Sequence, residues 1–297
     1  MRNILKLVGW TALGLVLLVL GAGAGVYALS NAKLHRRYTI SVQVPPVPDG
    51  AEGVARGRHL VETRGCLDCH GANLAGHVVI NDPAMGVTAG PNITRGRGGL
   101  PDGFNREDWV RAIRHGVGHD GRPLVLMPAQ EYAHMSDDDV GAIIAYLESV
   151  PKVDQASIPV RLGPVARALL VANKMPLAAE VIDHAHVEPA QIAPAPTADY
   201  GRYLAVGCTG CHGPNFSGGK IAAGPPDWPP ARNLTPGGDL GHWTEADFIR
   251  VLRTARRPDG TELSPVMPRA FGQLDDTELR ALWAYLHTLP AVSTGQR

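Results

Sequence analysis

The chain is short of most features that stabilise or specialise a protein of 297 residues. It has four cysteines, Cys66, Cys69, Cys208 and Cys211, all within two Cys-x-x-Cys-His runs, so none is spare for a structural disulfide. Aromatic residues make up only 5%, which limits the bulk available for a core, while 35 glycines and 25 prolines supply loops. Small, loop-rich units of this kind bury little surface and lean on a crosslink or a cofactor. Twenty-eight basic residues cancel 28 acidic ones, so the charge excess expected of a nucleic-acid binder is missing. No convincing alternation of apolar and polar residues marks a strand, and the chain reads as mostly helical.

What is present begins with an uncharged run from Leu7 to Leu29, after Arg2 and Lys6. A signal peptide's apolar stretch is about 7–15 residues and a spanning helix takes roughly 20, so the run is expected to be an uncleaved anchor. A cleaved signal, with Ala28-Leu29-Ser30 as a small-x-small site, is the alternative. Lys33, Arg36 and Arg37 balance the cations before the run, so flanking charge does not orient it. The stretch from Val42 to Asp49, with Pro45, Pro46 and Pro48, is expected to be a semi-rigid spacer lifting the rest off the bilayer.

The remainder is a duplication. Cys66 and Cys208 lie 142 residues apart, Asn92 and Asn233 141, Met127 and Met267 140, Tyr146 and Tyr285 139. Each unit opens with Gly-Arg-x-Leu (Gly57 to Leu60, Gly201 to Leu204), reaches Cys-x-x-Cys-His, and passes through a Gly-rich loop holding Asn-apolar-Thr. Two helices should follow. One starts at Asn105 or Thr244 with an acid three residues on, a variant of the capping box; the last starts at Ser136 or Asp275 and stops at Pro151 or Pro290. Pro164 to Asn173 could form a short helix with Val165, Ala168, Leu169 and Ala172 on one side, and Ile192 to Thr197 reads as a linker. The expected division is 1–30 anchor or signal, 31–50 spacer, 51–151 first domain, 152–196 connector and 197–291 second domain.

Cys66-Leu67-Asp68-Cys69-His70 and Cys208-Thr209-Gly210-Cys211-His212 have the form of the haem attachment motif. Two cysteines three positions apart can form thioethers to both vinyl groups of one porphyrin, and the adjacent histidine can reach the iron. Structural zinc needs four ligands where each motif offers three, and a thioredoxin-like pair needs a βαβ context that is missing. A sixth iron ligand is expected from Met127 and Met267, each followed by proline and placed 57 and 55 residues after His70 and His212. Met85 and Met135 have no counterparts and read as packing residues. His/Met ligation raises the reduction potential and suits electron transfer. The remaining histidines, His59 among them, read as surface or core residues, and His184-Ala-His186 lacks a third ligand for a metal.

These residues resemble class I cytochrome c domains, and in particular the dihaem and multihaem membrane cytochromes that serve as subunits of periplasmic dehydrogenases. The likeness covers roughly 53–150 and 197–289 and rests on the two haem motifs, Met127-Pro128, Met267-Pro268, the Asn-apolar-Thr runs and the closing Tyr-Leu pairs. It implies a mainly α fold, with two tandem class I cytochrome c domains after an N-terminal transmembrane helix. It also implies two haem c groups, held through Cys66, Cys69, Cys208 and Cys211, with His70, Met127, His212 and Met267 on iron. In such domains a carbonyl just before the Asn accepts the haem histidine's other N–H; here that residue is Pro91 or Arg232. The resemblance further implies haem domains in the periplasm of a bacterial inner membrane, passing electrons from a dehydrogenase or quinol-oxidising partner to a cytochrome or terminal oxidase. No dedicated catalytic acid, base or nucleophile stands out, so the chain is expected to be an electron-transfer subunit and not an enzyme on its own. A dihaem peroxidase or sulfur-compound oxidoreductase with one labile axial site is the alternative. The loops after the two motifs differ in charge and proline, so the two haems are expected to differ in potential.

Overall fold

The computed structural model describes residues 2–221, 224 and 227–296. Helix α1 (Arg2–Leu34) carries the apolar run and stands bare: residues 2–24 are exposed, and coverage begins only at Gly25. By length and hydropathy α1 could cross a membrane. Leu7 to Tyr27 amounts to about 30 Å of helix, the thickness of a hydrocarbon core.

The first unit comprises α2 (Ala51–Thr63), α3 (Cys66–His70), a hairpin of β1 (His77–Asp82) and β2 (Gly86–Gly90), α4 (Arg106–His115), α5 (Ala129–Tyr132) and α6 (Asp137–Ser149). The connector holds β3 (Arg161–Leu162), α7 (Pro164–Val171) and α8 (Ala178–Val181). The second unit repeats the plan with α9 (Ala198–Ala205), α10 (Thr209–His212), α11 (Glu245–Thr254) and α12 (Asp276–Thr288).

In each unit the opening helix crosses the closing one, α2 on α6 and α9 on α12. The crossing is close because a glycine sits at its centre. A Cβ on Gly57 would lie 1.9 Å from the Ala142 carbonyl oxygen, and one on Gly201 would lie 1.9 Å from that of Ala281. Around the first crossing pack Leu60, Val61, Trp109, Val110, Ile113, Val140, Ile143, Ile144 and Leu147. Around the second pack Tyr200, Leu204, Phe216, Phe248, Leu279, Leu282 and Leu286.

The expected caps form. Asn105 and Asp108 make a reciprocal capping box on α4, as do Thr244 and Asp247 on α11 and Asp275 and Glu278 on α12; the Ser136 hydroxyl accepts the Asp139 N–H on α6. The last helices end at Ser149 and Thr288, two residues before the prolines.

Two expectations change. The chain does contain strands: β1, β2 and β3 form a small antiparallel sheet, with His77 opposite Gly90 and Val87 opposite Arg161. Its alternation is faint because β1 lies mostly at the surface, while β2 is covered at Thr88, Ala89 and Gly90. A Cβ on Gly90 would fall 2.1 Å from the Cys69 carbonyl oxygen, so this glycine lets the strand run against α3. The proline-rich stretch, in turn, does not hold the first unit away. Val42 and Val47 pack on its core, Pro45 is buried, and the Pro46 carbonyl covers Gly141 of α6. Apolar side chains alternating with the prolines give the segment something to bury, and it lies along the domain as a strap.

Candidate haem sites

Gly65, in the left-handed region at φ 77°, turns the chain sharply out of α2 into α3. Cys66, Cys69 and His70 thereby face a cavity of about 630 Å³, which Met127, Trp109 and Tyr132 also line. The His70 ring is held from behind: Nδ1 lies 2.9 Å from the Pro91 carbonyl oxygen. In the second unit His212 Nδ1 lies 2.7 Å from the Arg232 carbonyl oxygen. A carbonyl can only accept, so Nδ1 carries the proton and Nε2 keeps its lone pair for a metal. Burial lowers the pKa of both rings and keeps them neutral, with the carbonyl acting against that shift.

The loop bearing that carbonyl is built the same way twice. Gly76 N–H donates to the His70 carbonyl and Gly218 N–H to that of His212; Ile93 N–H donates to the Leu74 carbonyl and Leu234 N–H to that of Phe216. Leu74 and Phe216 adopt φ 59° and 61°, a left-handed turn unusual for large side chains. The buried Asn of each Asn-apolar-Thr run explains the motif. Asn92 Nδ2 donates to the Val153 carbonyl at 2.8 Å and Asn233 Nδ2 to that of Val292 at 2.7 Å. Each thereby ties the loop to the segment leaving the last helix.

No disulfide joins any of the four cysteines. Burial pushes the thiol pKa of Cys66 and Cys208 up to about 12, which disfavours a thiolate at either position. Reactive redox cysteines sit in electropositive, partly exposed surroundings with lowered pKa, so the setting opposes a dithiol role. It fits a cofactor joined through sulfur in an apolar cavity. That fit extends to polar atoms: Trp109 Nε1 and Arg64 Nε and Nη2 are buried with no hydrogen-bond partner, and both residues line the cavity. Donors left in this way are suited to the carboxylates of a haem.

Met127 and Met267 occupy equivalent places. Each follows a helix ending in a left-handed cap, at Gly116 or Ala255, and a small bridge, Val117 to Pro123 or Arg256 to Glu262. Met127 shares the cavity of His70. Met267 lines a second cavity of about 490 Å³, completed not by His212 but by Glu62, Leu67 and Asp68 of the first unit. Of the methionines read as packing residues, Met135 is buried in the first core and the Met85 carbonyl accepts the Gly163 N–H. His184 meets His115 and the Ala179 carbonyl, while His186 pairs with Asp183, so these two do not converge on a metal.

Sequence reasoning passed over the groups between the units. His59 Nε2 lies 2.7 Å from a Glu278 oxygen, and Tyr203 OH donates to Asp139 at 2.5 Å. His59 and Tyr203 hold the same position in Gly-Arg-x-Leu, and Asp139 and Glu278 the same position in the closing helix. Each unit therefore offers the other an equivalent pair, as across a two-fold axis. Asp275 lies near enough to His59 and Glu278 for a cation, but its carboxylate caps α12 and that of Glu278 accepts from His59.

Arg64 lies at the centre of this contact. It donates to the Leu204 carbonyl, stacks over Tyr203, and acts electrostatically on both Cys66 and Cys208. Glu131, one turn past Met127, reaches across to Gly210 and acts on Cys208 and Cys211; burial raises its own pKa to about 7. The signal for these residues was their lack of a repeat partner, since interface groups need not be duplicated.

Residues 52–147 match the family model described as cytochrome c oxidase, cbb3-type, subunit III, and residues 198–290 match that of cytochrome c. The chain is 28% identical to the fructose dehydrogenase cytochrome subunit of Gluconobacter japonicus, over 83% of this chain and 55% of that protein. It is 27% identical to the cytochrome c subunit of the alcohol dehydrogenase (quinone) of Gluconobacter oxydans, over 93% of this chain and 61% of that protein. It is 28% identical to a diheme cytochrome c-type protein of Cereibacter sphaeroides, over 94% of this chain and 97% of that protein. The chain thus spans little more than half the length of the two dehydrogenase subunits.

Proposed function

Since the chain is built of two tandem cytochrome c domains, with two covalently bound haem c groups and electron transfer as their work, we propose that it relays electrons from a periplasmic dehydrogenase, or a quinol-oxidising partner, to a cytochrome or terminal oxidase. Cys66 and Cys69 hold one haem and Cys208 and Cys211 the other, with His70 and Met127, and His212 and Met267, as axial ligands. Each bound iron takes up and returns one electron, the redox chemistry belonging to the cofactor. The chain's own residues fix the ring of each histidine, exclude water with an apolar cavity, and set the two sites against each other. The observation that carries the relay is the shared contact: Arg64, in the wall of the first cavity, donates to the Leu204 carbonyl and stacks over Tyr203 of the second unit, and Leu67 and Asp68 share a cavity with Met267. Anchored by α1, the haem domains stand on the periplasmic face of the inner membrane.

Two measurements test this. Membranes with and without the chain are given fructose or an alcohol, the substrates named for the related dehydrogenase subunits, and haem reduction is followed. Reduction only when the chain is present supports a dehydrogenase donor; no response to any of them sinks it. Met127→Ala and Met267→Ala are then made separately. Each is expected to abolish the long-wavelength thioether–ferric band of its own haem. A second haem unaltered by Met267→Ala would favour the oxidoreductase alternative with a labile site.

A further inference from the structure

We infer that α7 lies in the plane of the membrane interface beside the exit of α1, with its outward face seated among the lipids of that surface. This rests on α1 spanning the bilayer. The helix has two unlike faces. Ala166 and Leu170 are buried against the protein, and its one charged residue, Arg167, turns towards α1. The other side carries Val165, Ala168 and Ala172, all exposed, beside the partly covered Leu169. Val160 and Val181, exposed in the same connector, extend the apolar surface.

The depth of α7 follows from its attachments. Arg167 Nη1 donates to Ser30 Oγ at 2.8 Å, and its guanidinium lies 4.3 Å from the centre of the Tyr27 ring. Just past the helix, Asn173 accepts from Lys33 Nζ at 2.7 Å, and Lys33 also pairs with Glu180. Ser30 and Lys33 are only about 4.5 Å apart along the axis of α1, so the middle of α7 and the residue just past its end are held at nearly one level. That level is set by α1 itself. With Leu7 to Tyr27 filling the hydrocarbon, Tyr27 sits at its edge, where aromatic belts lie, and Ser30 to Lys33 fall among the headgroups.

An apolar face at that depth cannot avoid lipid. Amphipathic helices of this kind bury their apolar side about 5–10 Å into the headgroup and acyl boundary. Exposed cations frame it, Arg161 and Lys174 at the two ends of α7 and Arg36 and Arg37 after α1, which suits anionic headgroups. The occupant is a lipid surface, continuous with the one α1 enters.

The test uses the full haem-loaded chain in vesicles of phosphatidylcholine and phosphatidylglycerol. The native cysteines are consumed by haem, so Val165→Cys, Ala168→Cys and Ala172→Cys each accept a single spin label, with Val16→Cys in α1 and Thr261→Cys in the second unit as references. An unchanged visible spectrum verifies folding, and collision rates with oxygen and a nickel chelate report depth. The three α7 labels are expected to have oxygen-to-nickel ratios several-fold above that at position 261. Ratios equal to that at 261, with position 16 reading as lipid, overturn the inference alone. Water-like values at position 16 as well overturn the anchor on which it rests. Spin–spin broadening at positions 165 and 168 that vanishes on mixing with unlabelled chain means that a second copy covers the face, and also overturns it.

Discussion

Arg64 shows how one side chain can stand between two units. It stands two positions before Cys66, stacks on Tyr203 of the other unit, and keeps Nε and Nη2 without partners in the cavity wall. A fixed positive charge favours the reduced, less positive haem. Arg64→Leu is therefore expected to lower both reduction potentials in a spectroelectrochemical titration, and Arg64→Lys to restore most of the loss. A fall in one potential alone would confine the arginine to that haem. The residues proposed to grip haem could be named from sequence because bond lengths in the cofactor dictate Cys-x-x-Cys-His. Arg64 was not, because its value depends on where a second unit docks, and the equivalent place in that unit holds Val206.

At the scale of elements, the two glycine-centred crossings carry most of the fold. Overpacking a well-filled core costs typically about 1–3 kcal/mol, and a backbone carbonyl cannot step aside as a side chain can. Gly57→Ala and Gly201→Ala are each expected to destabilise their own unit by about that much or more in denaturant melts. A neutral result would mean the helices slide apart freely. The starts of helices α4, α6, α11 and α12 could be placed to the residue from sequence, because caps act locally. The sheet escaped notice because β1 is held by β2 and packed by α3, and β2 by the connector strand β3, not by an alternation of their own. The strap over α6 escaped for the same reason: prolines announce an extended path but not what lies beneath it.

For the whole molecule, the docking of the two units is pH-sensitive. The Glu278 carboxylate raises the pKa of His59, so protonated His59 is favoured in the docked chain. That stabilisation is full below the ordinary histidine value of 6.5 and fades as pH rises through the raised one. Glu278 sets the other limit. Burial works to raise its pKa, but the hydrogen bond from His59 and its other partners outweigh that and lower it, so the contact weakens again in acid, below the usual carboxylate value of 4.5. Label pairs across the interface are expected to separate as pH climbs above neutral in the native chain and to hold constant in His59→Gln. The same closeness governs the order of manufacture. Glu131 lies over Gly210 at the start of α10, beside Cys211, and the loop around Met267 lines one cavity with Leu67 and Asp68. Any enzyme stitching porphyrin to sulfur must reach those positions while the halves are still apart, so maturation comes first and closure follows.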